Sequence, residues 1–215
     1  MFSWIKRNQV KSRLRFARFK NKLVPTWLRG GYEKRNRCLS LTIGTDTWFD
    51  KRDRAIILFL WDTGVRASEL CGLKICDLNI GRRGATIYGK GKKERNVPFG
   101  LRAEEELTVW LDVRDKSGCD YVFSNQREEQ LTPSGLSALL RRRGQEAGIE
   151  GPYNPHAFRH GFAVAYLDNG GGIHNLQRLM GRGSLRSTEV YLASTDKRAC
   201  KDHAKASPGD NLNDK

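Results

Sequence analysis

The chain has 215 residues, 38% of them apolar and 29% charged, with a formal net charge of +15. That length allows one good-sized domain plus an appendage, and the balance excludes a membrane-embedded protein while pointing to a polyanionic partner, nucleic acid first. Five cysteines without a CxxC pair, and four scattered histidines, exclude a recognisable zinc framework and suit a reducing cytoplasm.

Charge divides the chain unevenly. Residues 1–40 hold 12 Lys and Arg against the single Glu33, whereas the rest hold 27 basic and 23 acidic residues. We therefore expect a basic N-terminal arm over 1–40, a main domain over 41–206 and a disordered tail over 207–215. Like-charge blocks are often no more than solvated tails. Here Val10, Leu14, Phe16, Ala17, Phe19 and Leu23 recur at helical spacing, and Pro25 ends the run. One face of such a helix can pack while Arg13, Arg15, Arg18 and Lys20 meet phosphates. The start of the chain lacks the apolar stretch of a secretory signal, and no apolar run has the length of a membrane span. The expected location is cytoplasmic and DNA-associated, with no membrane partner.

Residues 29–50 read as loop. Arg54 to Trp61 is almost wholly apolar and reads as a buried helix that stops at Asp62-Thr63-Gly64, followed by a short helix turning Leu70 and Leu73 inward. Ala85 to Tyr88 and Arg95 to Pro98 flank the turn Gly89-Lys90-Gly91-Lys92-Lys93 and predict a β-hairpin. A helix follows over Glu104 to Val113, and Tyr121 to Ser124 is a candidate third strand. Thr132-Pro133 and Asn154-Pro155 each pair an N-cap residue with proline at the first helical position, predicting two further helices. The second carries His156, Arg159 and His160. Ile173 to Met180 makes another helix, and Ser187 caps a last one bearing Tyr191. The fold class is mainly α with a small antiparallel β-sheet (α+β).

One grouping carries chemistry. Spacing of three places His156 and Arg159 on one helix face. Arg66 follows a glycine turn at a helix start, which presents it to a ligand rather than to a core. A guanidinium binds two non-bridging phosphate oxygens through paired hydrogen bonds, which a lysine cannot do. A cation aimed at developing phosphate charge lowers a barrier by about 3 to 4 kcal/mol. A nearby histidine can move a proton to or from Tyr191, and Lys90, at a hairpin tip, can protonate a leaving oxygen. Two arginines, a histidine, a lysine and a nucleophilic tyrosine suffice for attack on a phosphodiester, so no metal and no cofactor is expected. The His156/His160 pair lacks the further ligand that a zinc site needs. Lys92 and Lys93 read as a solvated turn or as DNA phosphate contacts.

These segments resemble the catalytic domain of the tyrosine recombinase (phage integrase) family, Xer-like in pattern. The matching segments are Asp62 to Leu70, Gly89 to Pro98, His156-Ala157-Phe158-Arg159-His160, Leu179-Met180-Gly181 and Tyr191. The similarity runs from about Arg52 to about Asp202. It implies a site-specific recombinase of integrase or resolvase type that cuts and rejoins double-stranded DNA through a 3′-phosphotyrosyl intermediate, as a homo-tetramer on DNA. By that resemblance Arg66 and Arg159 clamp the scissile phosphate, Lys90 is the general acid, His156 assists proton transfer and Tyr191 is the nucleophile. Glu69 would support the Arg66 turn, and His160 would support the site from behind. Ala193 to Ala206 matches the position of a segment exchanged between neighbouring copies.

The chain departs from the family pattern twice. Nine residues before Tyr191 the family usually has His or Trp, and here Arg182 stands in that catalytic position. Arginine donates hydrogen bonds to a phosphate oxygen but cannot shuttle a proton near neutral pH. Family enzymes also carry a helical core-binding domain, for which residues 1–40 are too short; the arm would then substitute electrostatically, or the chain would be truncated or rely on a partner. Two alternatives stay open beside recombination: a catalytically impaired DNA-binding regulator or mobile-element remnant, and DNA relaxation by the same tyrosine chemistry.

Overall fold

Helix α1 begins where Thr47 and Asp50 satisfy each other's backbone. The Thr47 hydroxyl accepts from Asp50 N at 3.1 Å, and the Asp50 carboxylate accepts from Thr47 N at 3.3 Å. This reciprocal cap starts the helix at Trp48, inside the stretch expected to be loop, and carries it to Thr63. In the computed structural model, residues 43–44, 47–89, 94–114, 119–148 and 153–181 are described. The expected basic arm, tail and Tyr191-bearing helix, with Tyr191 itself and Arg13, Arg15, Arg18, Lys20, Lys90, Lys92, Lys93 and Arg182, lie outside the described residues.

After α1 come α2 (Ala67–Cys71), a 3-10 turn (Ile75–Asp77), β1 (Leu78–Asn79), β2 (Gly84–Tyr88), β3 (Glu94–Pro98), α3 (Leu101–Val113), α4 (Pro133–Glu146), α5 (Pro155–Asp168) and α6 (Ile173–Met180). The sheet is antiparallel, in the order β1-β2-β3. Ala85 faces Val97 and Ile87 faces Arg95 in its register. Ala85, Ile87 and Val97 are buried, while Thr86 and Asn96 meet on the outer face. This alternation is what a sheet with one covered side requires.

Tyr121 to Ser124 does not join that sheet. Tyr121 bridges only to Lys74 and Ser124 only to Gln130. Val122 and Phe123 are fully buried, and their backbone is satisfied by the loops on either side: Val122 N donates to Leu73 O and Leu131 N to Phe123 O. Trp110 of α3 donates its indole N–H to Val122 O at 2.7 Å. A doubly buried apolar run can thus be threaded through the core without a ladder. The third strand is instead the two-residue β1.

The main core joins Ile56, Ile57, Phe59 and Leu60 of α1 to Leu107 and Trp110 of α3, Leu136 and Leu140 of α4 and Phe158 of α5. Trp48 meets Trp110 edge-on at 4.8 Å, and Phe59 contacts both Phe99 and Phe123. A smaller cluster, Phe162, Ala163, Leu167, Leu176 and Met180, binds α6 to α5. Both proline-led helices start as expected, with Thr132 accepting from Gly135 N at 3.1 Å and Asn154 accepting from Ala157 N at 2.9 Å. Among the described residues no helix is long and apolar enough to cross a membrane.

Candidate active site

The site is assembled on two helix ends closed by left-handed glycines. Gly64 ends α1 at φ 59°, donating its N–H to Leu60 O. A Cβ at Gly64 would lie 2.2 Å from the Phe162 ring, so only glycine lets α5 approach this closely. Gly181 ends α6 in the same way at φ 60°. Helix α5 passes between the two, and Arg159 on its buried side reaches both: Nη1 donates to Gly64 O and Nη2 to Met180 O, each at 2.5 Å.

Arg66 comes two residues after Gly64. Its side chain is 43% exposed, in line with a residue presented to a ligand. Glu69, one turn along α2, holds it in two places, accepting from Arg66 N and from Arg66 Nη1, both at 2.8 Å. The other end of the guanidinium points to Gly181 O at 3.5 Å. Arg66 and Arg159 therefore meet consecutive carbonyls at the end of α6. These are the acceptors that a helix C-terminus leaves unpaired, and cations there also oppose the helix dipole.

Glu69 thus has the supporting role expected of it, but its second partner was not anticipated. Arg95 of β3 forks onto the same carboxylate, with Nη1 to Oε1 at 2.9 Å and Nη2 to Oε2 at 2.8 Å, and its Nε donates to Leu179 O at 2.7 Å. Burial alone would raise the Glu69 pKa. The hydrogen bonds and charges of Arg95 and Arg66 outweigh it and hold the carboxyl at about 2. A sequence signal for Arg95 existed: strand alternation puts it on the row of Val97, where an unpaired charge cannot stay.

His156 is exposed on the first turn of α5, three residues before the buried Arg159. The expected shared face is therefore a gradient from solvent to interior. His160 is half-buried behind them. Of the six expected catalytic residues, the structure describes Arg66, His156 and Arg159, and brings the two arginines to one helix end. A hollow of about 410 Å³ lies elsewhere, lined by Phe49, Arg52, Leu131, Leu139 and Arg142 among others, and none of these three residues borders it. Among the described residues no three His, Cys, Asp or Glu side chains are grouped to hold a metal ion.

Comparison with known proteins gives this arrangement relatives. Residues 41–198 match the model of the phage integrase family. The tyrosine recombinase XerC of Bacillus licheniformis is 35% identical over 178 residues, covering 80% of this chain and 58% of that protein. Among solved structures, XerA recombinase superposes with a TM-score of 0.69 at 30% identity, covering 82% of this chain and 62% of the other. XerH site-specific recombinase, bound to difH substrate in a pre-cleavage complex, gives a TM-score of 0.65 at 26% identity, covering 79% of this chain and 50% of the other. The chain thus spans between 50% and 62% of the length of these relatives.

Proposed function

The chain belongs to the phage integrase family, and from that premise we propose that it is a site-specific tyrosine recombinase, cutting and rejoining double-stranded DNA through Tyr191. The observation that carries this reading is the meeting of Arg66 and Arg159 on consecutive carbonyls of one helix end, which brings two forked cations to a single point. A scissile phosphate held there has its non-bridging oxygens neutralised as the phosphorus becomes five-coordinate.

In this mechanism the Tyr191 oxygen attacks phosphorus and the bond to the 5′ oxygen breaks. Lys90 gives its proton to that departing oxygen, and His156, in the exposed position at the head of α5, handles the tyrosine proton. Arg182 adds a hydrogen-bond donor to the phosphate. The phosphotyrosyl bond keeps the energy of the cut strand, so a 5′ hydroxyl of another duplex reseals it by the reverse displacement. Residues 1–40 act as a basic arm on the DNA backbone, with Arg13, Arg15, Arg18 and Lys20 on phosphates, and residues 41–206 form the catalytic domain. Lys92 and Lys93 add backbone contacts beside Lys90. The working assembly is a tetramer on DNA, as expected for exchange between two duplexes.

The deciding experiment uses a nicked duplex made from the DNA that borders the gene, on which cleavage releases a short strand and traps the adduct. A covalent protein–DNA band on a denaturing gel is expected, and it should vanish in Tyr191→Phe. Binding without any adduct would overturn the enzyme reading in favour of a DNA-binding protein that has lost catalysis, the alternative that Arg182 in the place of His or Trp favours. Adducts that only relax supercoiled plasmid, and never join two duplexes, would reduce the function to DNA relaxation.

A further inference from the structure

Arg95 occupies an inward row of β3, opposite the buried Ile87, and its side chain is only 13% exposed. A guanidinium so placed persists only if its donors are met. Three of them are, and the partners come from two other elements: both Glu69 oxygens on α2 and Leu179 O at the end of α6. The fit is close. A Cβ on Gly181 would lie 3.1 Å from Arg95 Nη1 and 3.2 Å from its Cζ.

Resting on the recombinase reading above, we propose that Arg95 is a positioning residue for strand cleavage: it fixes Arg66 through Glu69 while tying the hairpin stem to the end of α6. Glu69 receives two hydrogen bonds on each oxygen, one from Arg66 and one from Arg95. Those four bonds fill the carboxylate's lone-pair sites, so its orientation, and with it that of Arg66, depends on both arginines. Arg95 also lies one residue from Glu94, which pairs with Tyr88 to close the ladder. Residues 89–93, Lys90 among them, join the two strands in sequence at that point, and Arg182 follows Leu179 three residues on. One side chain therefore sets the spacing between the origins of the phosphate clamp, the general acid and the Arg182 donor.

The carboxylate offers a readout that packing alone would not move. Arg66 and Arg95 are the charged groups bonded to Glu69, and Tyr88 of β2 lines a small hollow that Glu69 also borders. Without Arg95, burial is opposed by Arg66 alone, and the carboxyl rises toward the accessible acid range.

The test measures single-turnover adduct formation by the full chain on the nicked duplex described above, with Arg95→Gln and Arg95→Lys, from about pH 5 to about pH 8. DNA affinity is followed by gel shift and folding by thermal melting. Both variants should cleave about 100-fold more slowly, the loss typical of displaced reacting groups, with DNA affinity unchanged. Lysine should not rescue, because an ammonium cannot fork onto the carboxylate. Arg95→Gln should also lose rate more steeply than the parent as pH falls, beyond the loss that His156 brings to both. Parental rates in both variants, a loss matched by weaker DNA binding with an unshifted pH profile, or failure of both to fold would each overturn the proposal. Absence of adduct from the parent would instead overturn the recombinase reading, and this one with it.

Discussion

Asp53 on α1 and Glu69 on α2 are both carboxylates ringed by arginines, and they are put to different uses. Asp53 is fully buried and accepts from Arg52 at 2.8 and 3.0 Å, from Arg143 at 2.7 Å and from Arg142 at 3.2 Å. Arg52 continues inward to Ser124 O and lies 5.0 Å over the Trp48 ring. Arg143 continues to Asp50 and Glu146. That network welds α1 to α4, and its exposed arginine, Arg142, which keeps 52% of its side chain in solvent, is matched by a second carboxylate on Glu146. Around Glu69 the arginines run on to the carbonyls that end α6, and one of them, Arg66, keeps 43% of its side chain in solvent. The ion-pair chemistry is the same. Around Asp53 the exposed arginine meets a second carboxylate, which yields a scaffold; around Glu69 the exposed Arg66 meets beyond that carboxylate a carbonyl at 3.5 Å, which leaves a place for an anion.

The largest effect that would test this contrast is at Asp53. Asp53→Ala leaves Arg52 buried without its carboxylate and should cost about 3–5 kcal/mol, lowering Tm by about 10 °C. Calorimetry showing an unchanged Tm would break the contrast on the scaffold side. Next comes Arg66→Ala, which should cut adduct formation by about 10²–10³-fold while changing stability by less than about 1 kcal/mol, since its side chain is 43% exposed and Arg95 still pairs the buried Glu69. A large fall in stability there would make the two networks alike. A smaller effect is expected for Gly181→Ala, which forces a side chain into the left-handed region against Arg95. It should lose about 1–2 kcal/mol, read from the denaturant midpoint.

The smallest is the pH response of Glu69. Its pKa is lowered on folding, so its contribution to stability is complete above the ordinary carboxyl pKa of 4.5 and fades as pH falls from there toward about 2. Glu69→Gln should flatten that portion of the acid melting curve. A curve identical to the parent's would show that the arginines do not hold the carboxylate as the geometry implies.

Much of this was legible in the sequence because the signals were local. Thr132-Pro133 and Asn154-Pro155 cap α4 and α5 as read, and Gly64 and Gly181 stop α1 and α6. Arg66 and Arg159 were legible as cations, and the resemblance gave Glu69 its supporting role. What escaped depended on contacts distant in sequence. Tyr121 to Ser124 has the composition of a strand, but its partners are loops near Leu73 and Leu131. The start of α1 was hidden because the charged run Asp50-Lys51-Arg52-Asp53-Arg54 separates Trp48 and Phe49 from the apolar residues that follow. Arg95 looked like an ordinary charged residue on a hairpin, since its partners are 26 and 84 residues away. The burial of Arg159 against Gly64 O, 95 residues distant, was hidden for the same reason.

The placement of the indole rings has a practical outcome. Trp48, Trp61 and Trp110 all belong to the main core, two of them in edge-on contact, whereas the small cluster under α6 is built from Phe, Leu, Met and Tyr side chains. Among the described residues, tryptophan fluorescence, excited apart from tyrosine, is therefore an optical probe of the scaffold and has no emitter in the small cluster under α6. Emission and adduct formation followed through one denaturant titration would report on separate parts of the molecule. If α6 and its small cluster open before the main core does, activity should vanish while the emission of Trp48, Trp61 and Trp110, isolated by replacing Trp4 and Trp27 with Phe, is still that of a folded core.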